Sequence, residues 1–252
     1  ATRHPGYQIK KVMWDAYKGV STSTGNSYPE ITTLLKQQQQ AGALIMDYAG
    51  HGRADQISHE RVLTLSDFEK FSNTNLPLWV TASCDILPFD GVESTIGEAA
   101  VTNSKGGAVA FFGTTRTVYS NYNKSINMAF MRYVLSAPDG KPITLGEAQR
   151  LAKNQLITNK QDTTVNKLQY SLLGDPAIAL HLPTLSIVVD SINGVRPSAS
   201  NPLTLKAGSV ARVAGHVENA PTFNGVMTAL VRDSRELVTC RLNNSAEAKV
   251  AF

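Results

Sequence analysis

Cysteine is scarce in this chain, with only Cys84 and Cys240 among 252 residues. Small secreted modules that are held together by disulfides carry many more cysteines, so that class of protein is excluded. Cys84 ends an apolar run, whereas Cys240 lies in a segment of different character near the C-terminus. We therefore predict that both are free thiols, which leaves the redox compartment open.

Long apolar runs and long charge runs are also missing. No apolar stretch approaches the roughly 20 residues that a membrane-spanning helix needs, so no such segment is expected. The net charge is +4, but the basic residues are scattered, with no run longer than Lys10-Lys11. We expect no nucleic-acid partner, because proteins that bind nucleic acids gather their basic residues on one face. A hydrophobic content of 42% with 17% charged residues is typical of a globular protein.

The sequence shows no signal peptide, since the segment from Ala1 to Pro5 is polar. It also stops in the middle of a strand-like pattern at Val250-Ala-Phe252. We therefore expect a fragment of a longer protein, in which case the absence of a targeting signal carries no information about location.

Apolar runs of strand length alternate with helical patterns over the first 182 residues. Three runs have the composition of buried strands: Ala43–Ala49, Leu78–Ser83 and Ala108–Phe112. Capping-box spacing predicts helix starts at Ser27 with Glu30, Ser66 with Glu69, and Thr144 with Glu147. The alternation predicts an α/β domain over residues 1–182, with a mostly parallel sheet and helices on both faces. A further strand is expected at Gln8–Tyr17 and a turn at Leu172–Pro176.

The composition changes at Pro183, after which no helical period survives. Short strand patterns separated by turn residues follow at Leu185–Ile192, Ser209–Val217, Val226–Arg232 and Glu236–Leu242. Such spacing favours a β-sandwich, although an immunoglobulin-like sandwich has about seven strands and only four or five are present here. We predict a partial immunoglobulin-like β domain over residues 183–252.

Two of the predicted strands end at reactive side chains. The first runs into Gly50-His51-Gly52 and the second into Ser83-Cys84-Asp85. Because the carboxyl ends of parallel strands meet at one edge of a sheet, we expect His51 and Cys84 to lie close together. A neighbouring histidine activates a thiol as thiolate and can then protonate a leaving amine. The pattern predicts a cysteine peptidase with Cys84 as nucleophile and His51 as base and acid.

Acyl transfer also needs donors for the oxyanion, and the backbone N–H groups of Gly52 and Cys84 are the candidates. Ordinary structural roles compete with these assignments. A cysteine after an apolar run is usually a small core residue, and a histidine between glycines is commonly a turn residue. A catalytically silent surface scaffold or adhesion module therefore stays open, and it would leave Cys84 unreactive. A nucleotide-binding domain ranks last, because the sequence has no G-x-G-x-x-G or Walker motif.

The order of short motifs resembles that of the gingipain family of cysteine peptidases. The motifs are Tyr48-Ala-Gly-His-Gly52, Thr81-Ala-Ser-Cys-Asp85, Gly97-Glu98, Gly107–Gly113 and Leu173-Gly-Asp-Pro-Ala177. The resemblance covers about Lys10 to Pro183 and implies a caspase-like fold, in which the histidine follows one strand and the cysteine the next. Within the family, the sequence is most similar to the PorU-type sortases of the type IX secretion system. These trim C-terminal signal domains from secreted proteins and join the new end to an anchor.

The resemblance carries further expectations. It implies protein or peptide substrates, secretion-system components as partners, and export to the cell surface or outer membrane. It also implies an immunoglobulin-like domain after the catalytic one, which matches the change at Pro183. No cofactor is required. Relatives carry structural calcium, which an acidic loop such as Asp85–Glu93 could bind through oxygen ligands, whereas no Cys/His spacing predicts zinc.

Two features of the sequence differ from the family pattern. Catalytic domains of the family begin with further strand–helix units, so we expect the first strands, and any acidic residue that orients His51, to be missing here. The gingipains also place an aromatic pair after the third strand, where this chain has Tyr119-Ser120. The loop with Thr114, Thr115, Arg116 and Tyr119 is our candidate pocket wall, without strict preference for Arg or Lys; it could equally be an ordinary polar turn. His59 is expected to be a solvated loop residue.

Overall fold

The computed structural model describes residues 7–23, 25–198, 200, 202–206, 208–225, 237–241 and 247–251. The chain divides into two compact units. The larger unit comprises residues 12–182 with 239–250, and the smaller one comprises residues 1–11, 183–238 and 251–252. The main division therefore falls at Pro183, where the composition of the sequence changes.

The elements of the larger unit are mainly short strands and longer helices. In chain order they are β1 (Val20–Thr22), β2 (Gly25–Ser27), α1 (Pro29–Ala41), β3 (Ile45–Ala49), β4 (Gly52–Arg53), β5 (Gln56–Ile57), β6 (Leu63–Thr64), α2 (Leu65–Lys70), β7 (Leu78–Ala82), α3 (Ile96–Thr102), β8 (Ala110–Thr114), α4 (Ser120–Val134), α5 (Leu145–Thr158) and β9 (Tyr170–Gly174). Short 3₁₀ turns lie at Trp14–Ala16, Pro138–Gly140 and Asn166–Gln169. The elements confirm a mixed α/β fold.

A four-stranded sheet in the order β3-β7-β8-β9 forms the centre of this unit. β3, β7 and β8 are parallel, and β9 is antiparallel to β8. The sheet is therefore mostly parallel, as predicted. The turn predicted at Leu172–Pro176 is wrong in its first half, because Leu172 and Leu173 pair with β8. The turn begins at Asp175, whose carboxylate accepts a hydrogen bond from the Ala177 N–H at 2.8 Å.

Two apolar clusters cover the two faces of the sheet. Leu78, Val80 and Phe112 pack with residues of α4 and α5, and the ring of Phe112 stacks on that of Phe130 at 4.0 Å. Trp79 and Phe111 point the other way, into a cluster with residues of α1, α2 and α3. Every residue of β7 and β8 is buried, which explains why both strands read as continuous apolar runs.

The helix starts differ in detail from the capping patterns in the sequence. Thr144 caps α5 as predicted, accepting a hydrogen bond from the Glu147 N–H at 3.4 Å. The cap predicted at Ser27 is wrong, because its hydroxyl donates to the Val20 carbonyl across the β1–β2 hairpin. The box predicted at Ser66 and Glu69 is also wrong: Thr64 and Asp67 form it instead, two residues earlier.

The strand predicted at Gln8–Tyr17 is wrong as well. Its described residues form no strand, and the segment ends in the 3₁₀ turn at Trp14–Ala16. Trp14 explains the difference, because its ring packs on Tyr48 of β3 at a centroid distance of 5.8 Å and on Tyr28 at 6.1 Å. The apolar residues of this segment thus cover other side chains of the unit rather than extend its sheet.

Later parts of the chain contribute two small sheets. β10 (Ser186–Ile192) pairs antiparallel with β11 (Val213–Glu218), and β12 (Leu237–Arg241) forms a sheet with β13 (Glu247–Ala251). These strands do not confirm an immunoglobulin-like sandwich, and most of the strand predicted at Val226–Arg232 lies outside the described residues. No helix in the described segments combines the length and the hydropathy that crossing a membrane requires.

Candidate active site

β3 and β7 bring the segments of His51 and Cys84 to the same edge of the sheet. The two strands are parallel, and Ala49 lies opposite Ala82. The Gly50 N–H extends this pairing by donating to the Ala82 carbonyl at 3.3 Å. His51 and Cys84 each follow the registered pair by two residues. Since neighbouring strands lie about 4.8 Å apart, the backbones that carry the two side chains run next to each other.

Gly52 packs directly against the loop that carries Cys84. A Cβ atom at Gly52 would overlap Ser83 Oγ and would lie 3.2 Å from Ile86 Cδ1. Ser83 is fully buried, and its hydroxyl has no hydrogen-bond partner in the described part of the chain. A side chain after His51 would therefore require Ser83 and Ile86 to shift, because the two loops approach each other closely here.

The backbone of His51 is fixed by two donors to its carbonyl oxygen. The Tyr48 hydroxyl donates at 2.6 Å and the Ser58 N–H at 2.9 Å. Burial raises the pKa of the Tyr48 hydroxyl, and the nearby carboxylate of Glu60 raises it further, so this group remains a donor at neutral pH. The side chain of His51 is exposed, and its ring stacks on that of His59.

Cys84 is half-buried and carries a free thiol. Its Sγ donates to the Val118 carbonyl at 3.4 Å, and in the described residues it makes no hydrogen bond with His51. The fold therefore brings the two segments together without joining the two side chains. Hydrogen bonds between catalytic groups are often loose in unliganded enzymes and tighten when substrate binds. The side chain of Cys240 lies outside the described residues.

Two backbone N–H groups at this edge are the candidate donors to an oxyanion. His51 and Ser58 form a hydrogen-bonded pair of the β4–β5 hairpin, next to the pair of Gly52 and Ile57. Because the two kinds of pair alternate along an antiparallel ladder, the Gly52 N–H points away from β5. The Cys84 N–H donates no hydrogen bond within the described residues. Both N–H groups can therefore serve an acceptor that the fold itself does not supply.

The loop after Cys84 is tied to the loop after β8. Asp85 adopts a left-handed conformation with φ of 45°, which turns the chain sharply at the end of β7. Its carboxylate accepts a hydrogen bond from the Thr117 hydroxyl at 2.8 Å. Further along, Arg116 makes a two-fold ion pair with Asp90, with N–O distances of 3.0 and 2.5 Å. The hydrogen bond from Arg116 lowers the pKa of this exposed carboxylate.

The four candidate pocket residues differ in exposure. Thr114 is buried and its hydroxyl donates to the Ser83 carbonyl, while the Thr115 hydroxyl donates to the Gln169 carbonyl at 3.1 Å. Both threonines thus fasten the base of the loop. Arg116 is exposed, and Tyr119 exposes 67% of its surface. Only these two side chains are placed to meet a ligand.

The acidic loop Asp85–Glu93 is the candidate site for a structural calcium ion. Asp85 accepts from Thr117 and Asp90 pairs with Arg116, so both carboxylates are already engaged. Across the described residues, no group of three or more His, Cys, Asp or Glu side chains is arranged to hold a metal ion. A structural calcium ion bound by this loop stays an expectation from the family resemblance, since calcium also accepts backbone carbonyl ligands.

Two polar groups near Cys84, of which only Tyr170 is buried, were not identified from the sequence. The Tyr170 hydroxyl is buried and has no hydrogen-bond partner in the described residues. Burial raises its pKa, and negative charge on Cys84 or Asp47 raises it further. Asp47 keeps some exposed surface, yet desolvation raises its pKa, opposed by a hydrogen bond from Asn127 at 2.8 Å. No local pattern marks these residues, because their proximity arises only from the pairing of distant strands.

Comparisons with known proteins identify the family and the fold of the chain. A family model for peptidase family C25 matches residues 1–181. The fold is similar to that in a complex of the pro- and mature domains of Porphyromonas gingivalis RgpB, with 15% identity over 63% of this chain and a TM-score of 0.53. It is also similar to a crystal structure of the Arg-specific cysteine proteinase gingipain R (RgpB), with 16% identity over 63% of this chain and a TM-score of 0.50.

The two solved proteins are much longer than the matched region. The similarity covers 40% of the first chain and 39% of the second. No curated protein sequence matches the chain. At these identities the likeness to solved structures concerns the fold alone, and the family assignment comes from the match to the family model.

Proposed function

Because the chain belongs to peptidase family C25, the gingipain family, we propose that it is a cysteine endopeptidase that uses Cys84 and His51. The observation that carries the proposal is the register of β3 and β7, in which His51 and Cys84 each follow the pair Ala49 and Ala82 by two residues. A nucleophile and a base from distant parts of the chain are thereby held at one sheet edge.

The proposed reaction proceeds through a thioester. His51 takes the thiol proton of Cys84, and the thiolate attacks the substrate carbonyl. The oxyanion accepts hydrogen bonds from the N–H groups of Gly52 and Cys84, each worth roughly 3 kcal/mol of barrier. His51 then protonates the leaving amine, and water resolves the thioester. For the dyad to form, the thiol must first leave the Val118 carbonyl.

The loop after β8 is the proposed pocket wall. Its exposed residues, Arg116 and Tyr119, combine a guanidinium that is neutralised by Asp90 with an aromatic ring. A sortase role requires only that an amine instead of water resolves the thioester on Cys84. That role, secretion-system partners and a location at the cell surface or outer membrane are proposed from the resemblance of the motifs alone.

A catalytically silent scaffold is the second candidate. One observation favours it: Cys84 donates to the Val118 carbonyl and makes no hydrogen bond with His51 in the described residues. A silent domain would keep this bond, and its thiol would be no more reactive than an ordinary half-buried cysteine.

Thiol labelling separates the two candidates. We would treat wild type, Cys84→Ala, Cys240→Ala and His51→Ala with a peptidyl acyloxymethyl ketone, which alkylates activated thiols. A peptidase should lose labelling in Cys84→Ala and His51→Ala and keep it in Cys240→Ala. Equal labelling of both cysteines, insensitive to His51→Ala, would contradict the peptidase and support the scaffold.

A further inference from the structure

The imidazole of His51 stacks on one other ring in the described part of the chain. Its ring and that of His59 stack with centroids 4.9 Å apart and planes inclined by 24°. No hydrogen bond to either ring nitrogen of His51 is formed within those residues, so no described carboxylate or carbonyl orients this ring. The stack with His59 is therefore the contact that can do so.

His59 reaches this position because of the turn between β5 and β6. Ser58, which precedes it, is buried, has a left-handed φ of 65° and donates its N–H to the His51 carbonyl. Gln56 donates to the Ser58 carbonyl at 2.8 Å, and the Ser58 hydroxyl donates to Glu60 at 2.8 Å. The backbone on both sides of His59 is thus fastened, while its ring remains exposed over His51.

The same turn fixes the backbone of His59 relative to the backbone of His51. Ser58 lies next to His59 and bonds the carbonyl of His51, so the two residues are joined through a single backbone hydrogen bond. The contact between the two rings is therefore supported by a hydrogen bond between the backbones that carry them. The Glu60 carboxylate accepts from the Ser58 hydroxyl and lies near the Tyr48 hydroxyl, which donates to the His51 carbonyl.

We propose that His59 is a positioning residue for His51. Its ring restricts rotation of the imidazole about its side-chain bonds. The proposal rests on the proposed function, in which His51 activates Cys84. His59 itself does not touch the reacting atoms, and an aromatic ring without ionisable nitrogens should replace it.

The test combines four variants with one kinetic measurement. Alkylation of Cys84 by the acyloxymethyl ketone gives a maximal rate and an inhibitor affinity for wild type, His59→Ala, His59→Phe and His51→Ala. His181→Ala is the matched control, since His181 is also an exposed histidine but follows β9, whose last residue pairs with the first residue of β8. Thermal unfolding of each variant identifies any loss of fold.

A positioning role predicts a slower maximal rate in His59→Ala, by about 3- to 10-fold, which is the size expected for one lost ring contact. Affinity for the inhibitor should not change, His59→Phe should recover most of the rate, and His181→Ala should match wild type. A purely structural role would instead lower the unfolding temperature, and phenylalanine would not restore the rate.

The possible failures can be told apart. If His51→Ala is impaired but His59→Ala matches wild type, the positioning role is overturned and the peptidase stands. If labelling is insensitive to His51→Ala, the peptidase proposal fails and the positioning role fails with it. The NMR signals of the His51 ring give a readout that does not need activity: they should shift in His59→Ala through loss of the ring current, and unchanged signals would overturn the stack itself.

Discussion

Gly52 has little space for a side chain, although its backbone conformation does not itself require glycine. The space that a side chain would occupy is already filled by the hydroxyl of Ser83 and the end of Ile86. An alanine here must displace the Ser83 hydroxyl and the end of Ile86, or push the loop of His51 away from the loop of Cys84. The cost therefore falls first on the geometry of the candidate dyad and only second on stability.

We expect Gly52→Ala to reduce labelling of Cys84 by at least tenfold, because a displacement of about 1 Å at a catalytic group commonly costs more than that. The measurement is the alkylation rate, with circular dichroism as a check of folding. The double variant Gly52→Ala with Ser83→Ala should recover part of the rate, since the second substitution removes the obstructing hydroxyl. Ser83→Ala alone should stay near wild type, because that hydroxyl has no hydrogen-bond partner in the described residues. Full activity in Gly52→Ala would contradict the close contact.

At the scale of single elements, the start of α2 shows how a carboxylate stabilises a helix. Asp67 accepts hydrogen bonds from the N–H and hydroxyl of Thr64 at 2.8 and 3.0 Å, and it pairs with Lys36 at 2.6 Å. Burial raises the pKa of Asp67, but the bonds from Lys36 and Thr64 outweigh this effect and lower it overall. The ionised form is therefore the one that the folded state prefers.

Asp67→Ala should lower the free energy of unfolding at neutral pH by about 1 kcal/mol, the usual cost of a lost cap. Because folding lowers the pKa of Asp67, its contribution is complete above the ordinary value of 3.8 and is lost as pH falls through the folded-state value. Urea unfolding at neutral and strongly acidic pH should show the difference from wild type disappear in acid. Glu69→Ala on the same helix is the control and should have little effect at either pH.

The same helix shows what local patterns can and cannot predict. Capping spacing correctly indicated that a helix starts near residue 65, but Ser66 with Glu69 and Thr64 with Asp67 fit the pattern about equally. Only burial of Phe68 and the partner Lys36 favour the second pair, and both depend on contacts with other elements. By contrast, the parallel strands and the positions of His51 and Cys84 at the strand ends can be predicted from local apolar runs. The Tyr48 bond and the His59 stack do not, because they need the folded hairpin.

At the scale of the whole molecule, the core of the larger unit is self-contained. All members of its two apolar clusters lie between Val12 and Leu182. The candidate dyad, the loops that frame it and the residues that fasten those loops lie in the same interval. No contact described for the site involves a described residue after Leu182.

A fragment of residues 7–182 is therefore expected to fold and to show the same labelling of Cys84, sensitive to His51→Ala, as the full chain. Near-ultraviolet circular dichroism would report packing of Trp79 and its aromatic neighbours, and alkylation would report the site. The Cys84→Ala form of the fragment is the control. A fragment that is folded but unlabelled, beside a full chain that is labelled, would show that residues after Leu182 take part in the site.

The register between β3 and β7 also bears on how such a protein can change over evolutionary time. Strand pairing alone sets the spacing of His51 and Cys84, so the number of residues between them is irrelevant to it. Insertions and deletions should be tolerated in the exposed connection from Thr74 to Leu76, between α2 and β7, whereas β5, β6 and α2 contribute buried residues to the core. Loss of one residue inside either strand would reverse which face each side chain occupies. Natural variation in length should therefore gather in that connection and leave the two strands unchanged.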